Sequence, residues 1–421
     1  MPISALSAEE VWDGTFPAAD ENAAYSGGSG LQEDPYLIST AEDLAQLSVN
    51  TNEIPDYTVD KYFKQTADII LNSPDVFARD EKGYITGIAE GKTANAWTPI
   101  GNHFYFTNSF CGNYDGAGHA VRGIYIETEV DYQGLFGYIN NGSVSRLGIE
   151  DSFIFGWSWV GGVIGYNDEA LVKNSNNTGT VSGETYVGGV IGYSSFSVIT
   201  SLYNSGAVSG NESIGGLVGY NHQTLLTNSY NNGEIYGADS IGGLVGYNFY
   251  STVKSCYNIG SVSGETGVGG VVGKEEKSMV INTYYLSACV PDATNYSGTA
   301  LSDSEMQLKE SFAGFDFVNV WAIESSTGYA YPQLIINLDP NLGEPSAVWD
   351  GTVADGFAVG TGSKDDPYLI QTAEELAFLA FSVADGNTYY DKYFKLENDI
   401  VLNNTSAKYW ILNASKWTPI G

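Results

Sequence analysis

The chain has 421 residues, among them 51 glycines and 30 tyrosines, and only 16% of its residues are charged. A composition rich in Gly, Tyr, Val, Ile, Ser, Thr and Asn is typical of all-β folds with many turns. Acidic residues outnumber basic ones by 50 to 17, which gives a net charge of −33. This field repels polyanions, so we expect no nucleic-acid partner. No apolar run approaches the roughly 18 residues that span a bilayer, so we expect no membrane insertion in this fragment.

The chain opens with small and polar residues. We interpret residues 1–30 as an N-terminal leader, with Ser26-Gly27-Gly28-Ser29-Gly30 as flexible punctuation. It has neither the basic nor the apolar region of a signal peptide. Residues 31–127 are interpreted as a segment that leads into a repeat array and caps it, interrupted by an irregular insertion at residues 73–95.

A short helix is predicted directly after a strand at residues 34–38. Either Ser39 with Glu42 or Thr40 with Asp43 forms a capping box at its start. A helix at this place would bury its apolar edge over the open end of a solenoid and block end-to-end pairing.

Five copies of one glycine-rich phrase follow, with the pattern Ile-Gly-Gly-Leu-Val-Gly-Tyr at residues 214–220. The second glycines of the copies recur every 27 residues, at Gly162, Gly189, Gly216, Gly243 and Gly270. A second phrase has the same period and places Asn177, Asn204, Asn231 and Asn258 in one column. Fixed self-similarity of this kind is the mark of stacked repeats, so residues 128–290 are predicted to form a repeat array.

A repeat of 27 residues divides naturally into three short strands and three turns. In the coil at residues 188–213 we place strands near 189–193, 198–203 and 207–209, with glycine and asparagine at corners that need positive φ. Coils stacked about 4.8 Å apart give an all-β, three-sided parallel β-helix, or β-solenoid, with short capping helices. The usual crossover preference makes it right-handed. The Asn177 column would then bond amide to amide along the stack.

The repeats decay after residue 285. Residues 291–337 are predicted to close the unit, with a helix that begins at a capping box of Ser302 and Glu305. Residues 338–347 are predicted to be a linker because they contain Pro340, Gly343 and Pro345.

The opening then recurs, so residues 348–421 are interpreted as the truncated start of a second, similar module. Val-Trp-Asp-Gly-Thr at residues 348–352 matches residues 11–15, and Asp-Pro-Tyr-Leu-Ile at residues 366–370 matches residues 34–38. Trp-Thr-Pro-Ile-Gly at residues 417–421 matches residues 97–101.

The phrase at residues 214–220, together with Ser-Cys-Tyr-Asn-Ile-Gly-Ser-Val-Ser-Gly at residues 255–264, resembles the GLUG repeat. The resemblance covers roughly residues 11–337 and again 348–421. It implies a secreted or surface-anchored bacterial β-solenoid of the kind found in adhesin-like proteins, and also beside the catalytic part of IgA-cleaving metallopeptidases. It implies no catalytic residues.

The residues themselves offer no catalytic constellation. None of the three histidines lies in a His-Glu-x-x-His motif, and no Gly-x-Ser-x-Gly elbow occurs. Cys111, Cys256 and Cys289 have neither the number of a disulfide framework nor the spacing of a zinc site. Asp115 and His119 are better explained as a turn aspartate and a surface histidine than as a metal pair. We therefore expect no enzyme activity, no metal and no cofactor.

Two columns of aromatic residues are the clearest indication of a binding surface in the sequence. An exposed row of tyrosines would stack on sugar rings or contact a protein, although such rings can equally stack on one another. The candidate binding residues are Tyr166, Tyr193, Tyr220, Tyr247, Tyr203, Tyr230 and Tyr257.

These observations favour a non-catalytic, extracellular or cell-surface module that acts as an adhesin-like binding surface or a stalk. A glycan or a host or cell-surface protein is the expected partner. The alternative is an accessory region of a large secreted peptidase or polysaccharide-degrading enzyme.

Overall fold

The computed structural model describes residues 11–102, 106–291, 293–295, 297–324, 329–335, 353–354, 356–364, 366–384 and 386–396. The chain divides into two compact units, Met1–Pro340 and Asn341–Gly421. The predicted linker at residues 338–347 and the repeated phrases at residues 348–352 and 417–421 lie outside the described residues.

Five parallel sheets run along the first unit, and two of them extend through nine strands each. Sheet 1 consists of Tyr36–Ile38, Tyr62–Gln65, Asn113–Asp115, Ser143–Ser145, Leu171–Lys173, Val198–Thr200, Leu225–Thr227, Thr252–Lys254 and Met279–Ile281. Sheet 2 consists of Ile69–Ile70, Ala120–Arg122, Gly148–Glu150, Asn176–Asn177, Tyr203–Asn204, Tyr230–Asn231, Tyr257–Asn258, Tyr284–Leu286 and Thr299–Leu301.

The other three sheets belong mainly to the repeat array. Sheet 3 consists of Tyr125–Glu127, Phe153–Phe155, Thr180–Ser182, Val208–Ser209, Ile235–Tyr236 and Val262–Ser263. Sheet 4 consists of Ser158–Gly161, Thr185–Gly188, Glu212–Gly215, Asp239–Gly242 and Thr266–Gly269. Sheet 5 consists of Phe136–Asn140, Ile164–Asp168, Ile191–Ser195, Val218–His222, Val245–Phe249 and Val272–Glu276.

Each repeat contributes one strand to every sheet, and equivalent residues pair directly. Tyr193 lies beside Tyr220, and Asn204 lies beside Asn231, so one coil takes 27 residues. The predicted three-sided parallel β-helix is confirmed, whereas its winding sense stays a prediction. The strand count was wrong: the predicted strand at residues 198–203 is broken at Ser201, which has a φ of 56°. Sheet 4 was also not predicted.

The repeated glycines provide close packing, not corners. Through the described residues 134–264 no glycine adopts a positive φ. A Cβ on Gly189 would lie 2.3 Å from the Gly216 carbonyl oxygen and 2.4 Å from Cγ of Asn204. Backbone of one coil therefore touches backbone of the next, which leaves no room for any side chain.

The corners use other residues. In one coil Phe196, Ser201 and Ser213 adopt the left-handed conformation, with φ of 46°, 56° and 59°. The equivalent of Ser201 in the next coil is Asn228, with a φ of 49°. The prediction of glycine corners was therefore wrong for most of the array, although Gly267, the equivalent of Ser213, is a corner glycine with a φ of 60°. Asparagine occurs in two of the three corner columns, at Asn141 and at Asn228.

The asparagine ladder of sheet 2 is confirmed. Asn177 donates from Nδ2 to Oδ1 of Asn204 over 2.9 Å, Asn204 donates to Asn231 over 2.9 Å, and Asn231 donates to Asn258 over 2.8 Å. Each amide also bonds both backbone groups of the glycine two residues later, as Asn204 does with Gly206. These bonds allow fully buried amides in the core and explain why Asn and Gly recur together.

The rest of the core is aliphatic. The sequence does not reveal which member of each Val-Ile or Leu-Val pair faces inward, and the structure shows that both do. Val190 and Ile191 are each completely buried. The strand of sheet 4 ends at Gly188 and the strand of sheet 5 begins at Ile191, so Val190 lies in the connection between them. The alternation of inward and outward side chains along a single strand therefore does not apply to Val190 and Ile191.

The predicted N-terminal helix is confirmed at Ala41–Glu53, and its capping box uses Thr40 and Asp43. Leu44 and Leu47 are completely buried and belong to the same core cluster as the coil interior. The preceding glycine segment is an ordered turn, not flexible punctuation. Gly28 has a φ of 82°, and a Cβ there would lie 1.9 Å from the Pro35 carbonyl oxygen.

The insertion is more regular than predicted. After the 3₁₀ turn Pro74–Val76, Phe77–Arg79 pairs antiparallel with Ile85–Ile88. This hairpin lies against the repeats, because Arg79 contacts Asp151 over 2.5 Å and Lys82 contacts Glu234 over 2.6 Å. Another 3₁₀ turn, Phe106–Asn108, precedes the strand at Asn113.

The closing segment folds back along the side of the β-helix. After the 3₁₀ turn Ser287–Cys289 and the last strand of sheet 2, the helix Asp303–Met306 begins at the predicted capping box and is followed by the 3₁₀ turn Lys309–Ser311. Trp321–Glu324 then pairs antiparallel with Tyr329–Leu334.

The second unit repeats the opening of the first. Tyr368–Ile370 pairs with Phe394–Leu396, and the helix Ala373–Ala384 lies between them in sequence. Gly360 has a φ of 93°, and a Cβ there would lie 2.0 Å from the Pro367 carbonyl oxygen, as for Gly28 and Pro35.

Candidate functional site

The first predicted tyrosine column stacks along sheet 5 and is partly exposed. The ring centroids of Tyr166 and Tyr193 lie 4.6 Å apart with 13° between their planes, and those of Tyr193 and Tyr220 lie 4.9 Å apart at 4°. Tyr247 is turned by 72° against Tyr220, and Nζ of Lys274 lies 4.5 Å from its centroid. We call these four tyrosines the tyrosine ladder.

The stacked rings cover one another's faces. A sugar ring or another aromatic ring that stacks needs an exposed face, and this ladder leaves mainly edges and hydroxyl groups to solvent. Burial, assisted by the Asp168 carboxylate, raises the pKa of Tyr166 to about 12. Burial likewise raises the pKa of Tyr193 and of Tyr220. The ladder is therefore uncharged at neutral pH.

A second aromatic row flanks the ladder and was not predicted. Tyr132 stacks on Trp159 at 4.7 Å and 17°, and Tyr186 follows Trp159 at 6.2 Å and 23°. The ring of Tyr186 also meets Tyr220 edge-on at 5.2 Å. These three residues share the 27-residue spacing, so the same column search would have found them.

The second predicted column is largely covered. Tyr203, Tyr230 and Tyr257 stack with centroid distances of 5.3 and 5.1 Å. Tyr257 is completely buried and Tyr230 almost so, because Trp321 and the rest of the closing segment pack over them. The prediction of an accessible binding surface is corrected for these two residues, whereas Tyr203 stays partly exposed.

A cleft of about 880 Å³ lies where the capping segment meets the first coils. It was not predicted, because its residues come from four separate stretches of the chain. Its lining residues are Asn52, Thr98, Pro99, Gly101, Asn102, Glu129, Val130, Asp131, Tyr132, Gln133 and Trp157.

Asp115 and His119 do not form a metal pair, because each contacts a different residue. Arg146 donates to the Asp115 carboxylate from Nε over 2.9 Å, whereas Nδ1 of His119 lies 3.3 Å from Asp68. Among the described residues, no group of three His, Cys, Asp or Glu side chains is placed to hold a metal ion. All three cysteines are free thiols.

Comparison with known proteins agrees with the repeat pattern. The model of the GLUG motif matches residues 210–236 and 237–263, which are two consecutive coils. A protein of Evansella cellulosilytica provisionally named a Gly-rich membrane protein is 31% identical over 137 residues, which are 32% of this chain and 13% of that protein. Halomucin of Haloquadratum walsbyi is 29% identical over 163 residues, which are 38% of this chain and 2% of halomucin.

The chain thus spans only a small part of these relatives. Every helix that the structure describes is too short or too polar to cross a membrane. The crystal structure of a Bacteroides ovatus protein, provisionally named an immunoglobulin A1 protease, has a similar fold. The TM-score is 0.55 at 18% identity, and the match covers 76% of this chain and 97% of that one. Residues 210–263 therefore carry two GLUG motifs, and they form two coils of the parallel β-helix of the first unit.

Proposed function

We propose that this chain is a non-catalytic, extracellular module whose β-helix acts as an adhesin-like binding surface on a stiff stalk. The observation that carries the proposal is the unbroken register of its columns. From Asn177 to Asn258 every coil repeats the same buried amide bond, and the tyrosine ladder follows the same spacing outside. Such coils contact only their neighbours and present a long surface with fixed geometry.

The side chains on that surface support binding rather than catalysis. The columns align glycine, asparagine and tyrosine, while the acidic residues are scattered: one column reads Asp168, Ser195, His222, Phe249, Glu276. A glycosidase needs two carboxylates held at a fixed separation of roughly 5–9.5 Å. The names of the relatives, a Gly-rich membrane protein and halomucin, agree with a location at the cell surface.

The proposal is tested with the full chain immobilised on a surface. We expect it to retain at least one class of ligand from a panel of glycans and extracellular-matrix proteins, and to leave every one of them uncleaved. Antibodies against the chain should label intact producing cells. Blank binding results would remove the adhesin-like role and leave the stalk, and labelling only after lysis would contradict the extracellular location.

A second candidate is an accessory region of a secreted peptidase. It is favoured by the fold similarity to the B. ovatus protein, whose chain is matched over 97% of its length. In this case the chain alone should not cleave immunoglobulin A1, but adding it to a separate peptidase should accelerate cleavage. An unchanged rate would exclude this candidate.

A further inference from the structure

Two exposed apolar residues line the cleft at a position that is polar in most other coils. Val130 and Trp157 are consecutive members of one column, since the Trp157 N–H donates to the Val130 carbonyl over 2.9 Å. The two residues are 57% and 48% exposed. The same column continues with Glu184, Asn211, Ala238 and Glu265. Adjacent exposed apolar residues that are rimmed by polar ones mark a binding site more often than a single exposed residue does.

The neighbouring column adds a second ring to the same cleft. The ring of Tyr132 stacks on the indole of Trp159 with a centroid distance of 4.7 Å, so the indole packs against one face of the tyrosine ring. The later members of this column are Ser213, Ser240 and Gly267, so aromatic residues are confined to its first three coils. Large aromatic residues therefore gather at the cleft and are absent from both columns further along the described array.

Amides and carboxylates form the polar part of the lining. Asn52 is fixed on the capping helix, because its Nδ2 donates to the Pro99 carbonyl over 2.9 Å. Asn102 donates to Oδ1 of Asn52 over 3.3 Å, and Asp131 accepts from the Ser158 N–H over 3.2 Å. These groups supply both donors and acceptors around an aromatic floor.

One backbone wall of the cleft packs closely on the first coil. Gly101 has a φ of 81°, and a Cβ there would lie 2.5 Å from the Tyr138 carbonyl oxygen, so this turn packs directly on the first coil. A preformed cleft loses little conformational entropy when it binds, and about 880 Å³ is within the usual range of small-molecule sites.

We propose that this cleft binds a neutral oligosaccharide, with Trp157 and Tyr132 packing against sugar rings and Asn52, Asn102 and Asp131 bonding their hydroxyl groups. The electron-rich face of an aromatic ring attracts the polarised C–H groups of a sugar. Among the described residues of the lining, the charged ones are Glu129 and Asp131, which repel sulfated, phosphorylated or sialylated glycans. The inference rests on the proposed function and assigns a ligand class to it.

The test uses the full chain on an array of neutral and anionic glycans, followed by calorimetric titration of the best neutral ligand. Trp157→Ala should weaken binding by roughly tenfold or more, as loss of a central aromatic contact does. Trp157→Phe should retain part of the affinity because a ring face remains. The matched control is Tyr236→Ala, which removes a 63% exposed ring from sheet 3, and it should bind like the unmodified chain.

The other outcomes separate this inference from the broader function. If the chain binds neutral glycans but Trp157→Ala binds equally well, the cleft assignment is wrong and the adhesin-like role stands. If it binds matrix proteins and no neutral glycan, the ligand class is wrong and the adhesin-like role again stands. Binding of cationic peptides that weakens steeply with salt would overturn the neutral ligand. Circular dichroism and melting confirm that the variants are folded.

Discussion

A buried asparagine has a different role in a stack than in an ordinary core. Asn231 accepts from Asn204 below and donates to Asn258 above, so one side chain completes the hydrogen bonds of two neighbours. An amide buried without a partner is costly. The ladder therefore favours coils that stack in one register, because a shift of one residue would leave its amides unpaired.

We expect Asn231→Ala to lower the free energy of unfolding by about 2–4 kcal/mol, since it leaves Nδ2 of Asn204 and Oδ1 of Asn258 short of a partner. Urea unfolding followed by circular dichroism measures this change. Asn211→Ala is the matched control, because the Asn211 amide bonds Glu184 at an exposed site, and it should change stability by less than about 0.5 kcal/mol. Equal losses in both variants would refute a special role of the ladder.

At the scale of the strand and its neighbours, the tyrosine ladder predicts that the free energy of unfolding depends on pH. Burial raises the pKa of Tyr166 from 10.0 to about 12. The unfolded chain loses this proton first, so the free energy of unfolding is unaffected below pH 10 and falls as the pH rises from 10 towards 12. Ultraviolet titration of tyrosinate should show late-titrating rings, and Tyr166→Phe should remove one of them. A single transition near pH 10 for all tyrosines would contradict the stack.

The closing segment predicts another effect at this scale. Trp321 is completely buried and lies 5.7 Å from Tyr257 and 4.8 Å from Phe315. Trp321→Ala should cost about 3–5 kcal/mol and increase hydrogen exchange along the covered part of sheet 2. Val318→Ala in the same segment, at a side chain that is 80% exposed, should leave both unchanged. Unchanged exchange in Trp321→Ala would show that the segment does not depend on this residue.

These elements show which features a sequence can reveal. The capping box at Thr40 and the Asn177 column were predictable because each depends on local spacing or on the period. The left-handed φ of Phe196 was not, since stacking between coils imposes it on a residue that has no preference for it. The coverage of Tyr257 was also hidden, because 64 residues separate it from Trp321.

The candidate site also combines features that the sequence predicts with features that only the folded chain shows. The tyrosine ladder could be predicted from the period, but its spacing does not reveal whether ring faces are open. The cleft combines Asn52 with Trp157, which are far apart in sequence, so only the folded chain brings them together. Departures from a column are nevertheless visible in the sequence, and Trp157 in a mainly polar column is such a departure.

For the whole molecule, the period makes one coil a removable unit. Deleting residues 237–263, one complete motif match, joins Tyr236 to Gly264 and brings Asn231 beside Tyr285 in place of Asn258. Tyr203 and Tyr230 then take the places of Tyr230 and Tyr257 beneath the closing segment. Because every column is preserved, we expect a cooperative unfolding transition and a β-sheet circular dichroism spectrum. The free energy of unfolding should fall by about the contribution of one coil and one interface between coils.

The matched control deletes residues 238–263, one residue fewer. All columns above the junction then shift by one position, so side chains that face the core would face solvent and the glycine contacts between coils would be lost. We expect this variant to be insoluble or to melt without a cooperative transition, although it keeps one more native residue. If both deletions fold equally well, the register of the columns does not determine the fold, and the stiff stalk that depends on it must be abandoned.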